Sequence, residues 1–234
     1  MNQRPKPGFV TQQQLGEKRR AMIIRAVVTG VILLIAVVIA VVVINQRSAD
    51  EGASPGTASE QGIAFGPADA AVTLEVYEDF QCPACRQFET ISGDTLRDLA
   101  ETGEARVVYH PIAILDRAST TQYSTRAASA ARCVAEHAPE AWLDWQAQMY
   151  AQQPTEGGAG LTNEQMLDIA GNAGADSEEL TQCVSEVRYA NDVANATAES
   201  SNAGVRGTPT VLINGDPVDD MTPDGLRAAV QAAQ

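Results

Sequence analysis

Residues 78–88, EDFQCPACRQF, decide how this chain is read. Upstream, VTLEVYEDF (72–80) alternates Val72, Leu74 and Val76 with more polar neighbours, the period of a strand. Downstream, Phe88, Ile91, Leu96 and Leu99 recur at helical spacing, in one or two helical stretches. The Cys82-x-x-Cys85 motif therefore sits where a strand gives way to a helix. Unpaired N–H groups and the helix dipole favour an anion there, so the Cys82 thiolate is stabilised. Pro83 lacks an N–H and has a preset φ, which suits the first helical turn. Cys85 stands one turn on, within reach of Cys82 for a disulfide. Such a pair can trade a disulfide with a bound substrate through a mixed disulfide, with Cys82 as the attacking or attacked sulfur and Cys85 as the resolving thiol.

Three other readings compete for the motif. Zinc would need a second close ligand pair, but Cys133 and Cys183 are isolated and the histidines are His110 and His137. Covalent haem attachment would need His after the second cysteine, where Arg86 stands. A purely structural disulfide is the third. No metal and no cofactor is expected.

Further along, ARVVYHPI (105–112) reads as a second strand. Residues 118–203 turn Ala-rich with helical spacing, including Ala127, Ala131, Val134, Trp142, Trp145 and Met149. Thr162 with Gln165 is a capping-box signal, and Ser177 precedes another apolar helical set. TVLING (210–215) is a strand with Asn214-Gly215 as a hairpin turn, and Thr222-Pro223 opens a last helix. Pro209 is poorly placed for a strand interior, so it marks a strand start or a special turn. A cis Thr208–Pro209 bond would leave backbone groups free to pair with an extended peptide. Strand, helix, strand, helical block, hairpin and helix make an α/β sandwich with a helical insertion at about 117–203.

The net charge of −14 conceals two opposed parts. Residues 1–44 hold six cations against one acid, a net of +5, and residues 45–234 hold ten arginines against 29 acids, a net of −19. The acidic part disfavours nucleic acid as a partner. Between them, residues 26–44 carry no charge, and with Met22 to Ile24 they are long enough to cross a bilayer as a helix. The long charged lead and the absence of a small-residue cleavage site favour an uncleaved signal anchor over a cleaved signal peptide. Lys18, Arg19, Arg20 and Arg25 before the span keep the N-terminus cytoplasmic. The domain expectations are thus a cytoplasmic tail (1–21), a single-pass cell-membrane anchor (22–44), a flexible linker (45–62) and an extracytoplasmic folded domain (63–234). In that oxidising compartment Cys133 and Cys183, both on predicted helices of the insertion, are expected to form a structural disulfide.

EDFQCPACRQF, YHPIAIL and GVRGTPTVLING, in this order, resemble the thioredoxin-fold thiol–disulfide oxidoreductases of the DsbA-like group, specifically their membrane-tethered bacterial forms. The resemblance spans about residues 63–234. It implies a thioredoxin fold with an inserted helical domain, Cys82 as nucleophile, Cys85 as resolving thiol, and Thr208-Pro209 as a cis-proline loop beside a peptide groove. It also implies disulfide formation in exported cysteine-containing proteins and reoxidation by a quinone-linked integral-membrane oxidase. Pro83-Ala84 replaces the Pro-His of the best-known oxidants. Val76 stands six residues before Cys82, where many relatives carry a proton-accepting acid, so the proton relay is unassigned between nearby Glu75 and Glu78. An exported reductant, an isomerase and a tethered non-redox peptide-binding chaperone are the alternatives.

Overall fold

A computed structural model describes residues 57–59 and 62–234. The expected tail, the anchor at 22–44 and most of the linker lie outside those residues. Among the described residues no helix is long and apolar enough to cross a membrane.

Among the described residues, six strands form one mixed sheet. In chain order they are β1 (Thr57–Ser59), β2 (Gly62–Phe65), β3 (Thr73–Glu78), β4 (Arg106–Pro111), β5 (Thr210–Ile213) and β6 (Asp216–Pro217). Their order across the sheet is β1-β2-β4-β3-β5-β6. Only β3 and β4 run parallel, with Val76 opposite Tyr109, and their crossover is helix α1 (Pro83–Glu101). β5 runs antiparallel to β3 and turns through Asn214-Gly215, both at positive φ, into β6. Helix α7 (Pro223–Ala233) follows, with the Thr222 hydroxyl accepting from Gly225 N.

The C-terminal end of the stretch expected as linker (45–62) carries a strand. Thr57–Ser59 is an edge strand paired with β2, so ordered structure begins before residue 63. β2 itself gave no strand signal, because all four of its residues are buried and no apolar–polar alternation results. The expected one or two helical stretches after Cys85 are a single helix, α1.

Between β4 and β5 lies the helical block, α2 (Tyr123–His137), α3 (Trp142–Ala151), α4 (Asn163–Asn172), α5 (Glu178–Ser185) and α6 (Ala190–Asn202). The capping box at Thr162 and the Ser177 cap start α4 and α5. α2 is buried over most of its circumference, which small residues such as Ala127, Ala128, Ser129 and Ala131 permit by letting neighbours approach closely. Trp142 joins the block to the sheet. Its ring lies 5.3 Å from Phe65 and 5.0 Å from Tyr109, and its indole N–H donates to Ala131 O. Cys133 on α2 and Cys183 on α5 are bonded to each other, with an S–S distance of 2.05 Å.

Candidate active site

β3 alternates inward and outward, so Leu74, Val76 and Glu78 face the core and Glu75 and Tyr77 face away. The chain then turns at Asp79. Its Oδ1 accepts from Gln81 N and its backbone carbonyl accepts from Cys82 N. The other oxygen, Oδ2, accepts from Leu115 N, and Gln81 Nε2 donates to Leu115 O. The loop before the cysteines is thus stitched to the segment following β4. From the insertion, Gln153 Nε2 donates to both Phe80 O and Cys82 O at 2.9 Å. These bonds leave few ways for the loop to shift.

Cys82 occupies the N-cap position of α1, and Pro83 follows in its first turn. Both thiols are free, with Cys82 8% exposed and Cys85 1%. The Thr208–Pro209 peptide is cis, and Thr208 O lies 3.3 Å from Cys82 Sγ, within hydrogen-bond reach of the thiol form. The structure therefore brings Cys82, Cys85, Thr208 and Pro209 into one place. Cys133 and Cys183 stand apart from it, in the helical block.

The two sulfurs differ in their readiness to ionise. The Cys85 thiol beside it, the Thr208 side chain, and the backbone N–H groups of Cys85 and Ala84 hold Cys82 down to about 5, against the burial that opposes ionisation. Burial, and then the Cys82 sulfur itself, push Cys85 far above the ordinary thiol range. One cysteine is a stabilised thiolate and the other keeps its proton.

Beneath the pair lie buried carboxyl groups whose role the sequence left open. Burial, then the charge of Glu89, raises Glu78 to about 8, although Gln146 Nε2 donates to both its oxygens at 2.9 Å. Burial raises Asp79 to about 6. Burial, and then the charges of Glu78 and the Cys85 sulfur, raise the Tyr150 hydroxyl well above its ordinary range. Glu75 belongs to the other face of β3, where His110 Nε2 lies 3.1 Å from its Oε1 and stacks on Tyr77. The signal for Glu78 was available, since Leu74 and Val76 extend by one step of alternation to it.

At Ala84 and Pro209, next along the chain to the cysteine pair and to Thr208, runs a groove of about 360 Å³; Phe88, Ile91 and Met221 give it apolar surface, and Gln87, Ser92, Thr222, Asp219 and Asp220 give it polar surface. Elsewhere among the described residues, Glu136, His137 and Cys183 come close enough to suggest a metal, but the Cys183 sulfur is committed to its disulfide.

The thioredoxin family model matches residues 58–232. Reduced DsbA from Mycobacterium tuberculosis is 32% identical, with a TM-score of 0.63, and the match covers 76% of this chain and 89% of that one. Reduced DsbG from the same organism is 32% identical at a TM-score of 0.64, covering 77% and 89%. A curated relative, the Na(+)/H(+) antiporter NhaA 3 of Salinispora tropica, is 28% identical over 150 residues, or 64% of this chain. The chain spans only 21% of that relative's length. A family match over most of the described residues and a one-third identity to a DsbA coincide with a thiolate and a protonated thiol on one helix start. The chain belongs to the thioredoxin family, and its Cys82–Cys85 domain is a DsbA-like protein thiol–disulfide oxidoreductase.

Proposed function

We propose that the protein donates disulfides to exported proteins from a domain held outside the cytoplasm by the anchor at residues 22–44. The asymmetry between the two thiols carries this reading. A substrate thiolate attacks Cys82 Sγ in the Cys82–Cys85 disulfide, forming a mixed disulfide and releasing Cys85 as a thiolate that must take up a proton. A second substrate thiolate then attacks the substrate sulfur and expels Cys82. Both electrons pass from the substrate dithiol to the enzyme pair, which leaves reduced. A low thiol pKa makes Cys82 a good leaving group and stabilises the reduced enzyme, which favours oxidation of the substrate. The value of about 5 falls between the roughly 3.5 of a strong CxxC oxidant and the roughly 7 of thioredoxin.

Glu78 is the proton source for Cys85 in this scheme. Held near 8, it is protonated at neutral pH, and it is buried in the core four residues before Cys82. Thr208-Pro209 and the adjoining groove receive the substrate segment. Reoxidation needs a two-electron acceptor, and the compartment and anchor favour a quinone-linked integral-membrane oxidase.

The deciding experiment is the reduction potential of the Cys82–Cys85 pair against glutathione. The expected value is clearly less negative than the roughly −270 mV of thioredoxin and approaches the roughly −120 mV of a strong oxidant. A value at or below that of thioredoxin would make the protein an exported reductant. Full activity in cells with Cys82→Ser would make it a tethered peptide-binding chaperone.

A further inference from the structure

We propose that the groove beside Cys82 selects substrate segments in which the reacting cysteine has an apolar residue and a lysine or arginine close by, the cation being read by Asp219. This deepens the disulfide-donor reading and rests on it.

The apolar wall comes from one face of α1, where Ala84, Phe88 and Ile91 follow at helical spacing. Ile91 is 50% exposed, the large hydrophobic side chain left open to solvent among the described residues. A lone exposed isoleucine is unremarkable on a surface, but this one lines a hollow that also contains Pro209. Ile91 stands nine residues along α1 from Cys82, about 13 Å of helix. That distance matches about four residues of extended peptide, so a side chain near the substrate cysteine can reach it.

The opposite wall is the loop before α7, and its shape is fixed. Ser92 Oγ donates to Met221 O at 2.7 Å, which ties the loop to α1. Asp220 Oδ1 accepts from Thr222 N at 3.1 Å and from Thr222 Oγ1 at 2.6 Å. A Cβ at Gly225 would lie 2.3 Å from Asp220 O, so the loop packs directly on the first turn of α7. Asp219 and Asp220 are exposed, the groove lining includes no lysine or arginine, and neither acid pairs with a cation among the described residues. An apolar floor beside a rigid anionic rim is complementary to a peptide carrying an apolar side chain and a cation. The surrounding charge of −19 acts in the same direction at longer range.

The test uses the oxidised full-length protein in nonionic detergent with three reduced peptides. They share one cysteine and one leucine and differ only in Arg, Gln or Glu flanking the cysteine. The rate of mixed-disulfide formation for each is divided by that peptide's rate with a neutral small-molecule disulfide, which removes differences in thiol reactivity. At low salt the Arg peptide is expected to react about tenfold faster than the Glu peptide, falling toward parity near 1 M salt. Asp219→Asn is expected to cut that advantage about threefold, and Ile91→Ser to slow all three peptides alike. Asp168→Asn, an exposed charge on α4 outside the groove, is expected to leave the preference intact. Equal rates for the three peptides, or an equal effect of Asp168→Asn and Asp219→Asn, would overturn the proposal. The reduction potential of the Cys82–Cys85 pair tells the two readings apart. If it lies well above that of thioredoxin but no peptide preference appears, only the groove assignment falls; if it lies at or below that of thioredoxin, the disulfide-donor reading falls as well.

Discussion

The chain carries two cysteine pairs, and they make opposite uses of the same bond. Cys133 and Cys183 lie on separate helices, fully buried, 50 residues apart in sequence and joined. Cys82 and Cys85 lie three residues apart on one helix start, and both are free. The first bond closes a long loop and constrains the unfolded chain. The second pair closes almost no loop, so its bond adds little of this kind. What it has is a thiolate held first by the neighbouring Cys85 thiol and then by Thr208 and backbone N–H groups, beside a cis-proline segment. Position, rather than the cysteine itself, separates a staple from a reagent.

The reagent pair is the more sensitive of the two to a single substitution. Cys82→Ser should abolish oxidation of a dithiol peptide, a loss of at least about a thousandfold. Cys85→Ser should leave a stable mixed disulfide with the same peptide, visible by mass spectrometry. The staple answers differently. Replacing Cys133 and Cys183 by alanine should remove about 4 kcal/mol of stability, lowering the melting temperature by about 10 °C. Exchange at Cys82, measured well below that temperature, should persist. Loss of both at once would mean that the insertion and the active site are not separable in this way.

Smaller effects sharpen the chemistry of the free pair. Gln153→Ala leaves the carbonyls of Phe80 and Cys82 without their donor and should cost about 2 kcal/mol in thermal or denaturant unfolding. Glu78→Gln should slow peptide oxidation about tenfold below pH 8 while leaving alkylation of Cys82 unchanged. Above pH 8 wild-type Glu78 is ionised and has no proton to give, so the two rates should converge. The Cys82 pKa gives a stability signature. Held at about 5 in the folded state, against an ordinary thiol value of 9, it stabilises the reduced form increasingly as pH rises between those values. That gain is complete above pH 9 and lost as pH falls through about 5. The oxidised form has no Cys82 thiol and lacks it. The reduced-minus-oxidised difference in melting temperature should therefore grow with pH across this window, and a flat profile would contradict the assignment.

Much of this arrangement was legible because it is local. The strand-to-helix placement of Cys82, the capping box at Thr162, the Ser177 and Thr222 caps and the Asn214-Gly215 turn each need only a few adjacent residues. The features that escaped are those made by distant residues or by short, featureless strands. Gln146 reaches Glu78 across 68 positions and Gln153 reaches Cys82 across 71, and nothing local to either glutamine announces its partner. β1 is a three-residue edge strand of small residues, so it passed for linker. Glu78 was left undecided beside Glu75, although a two-residue period carried one step further turns it inward.

The sheet ends at β6, two residues of which the second is Pro217. An enzyme that meets unfolded polypeptides faces a hazard unrelated to redox chemistry: a free strand edge can recruit the very chains it serves. A proline has no N–H to offer such a chain, and two residues give it little ladder to extend. The hairpin that follows the cis-proline strand thus blunts this edge, letting partners engage the sulfur without zipping onto it.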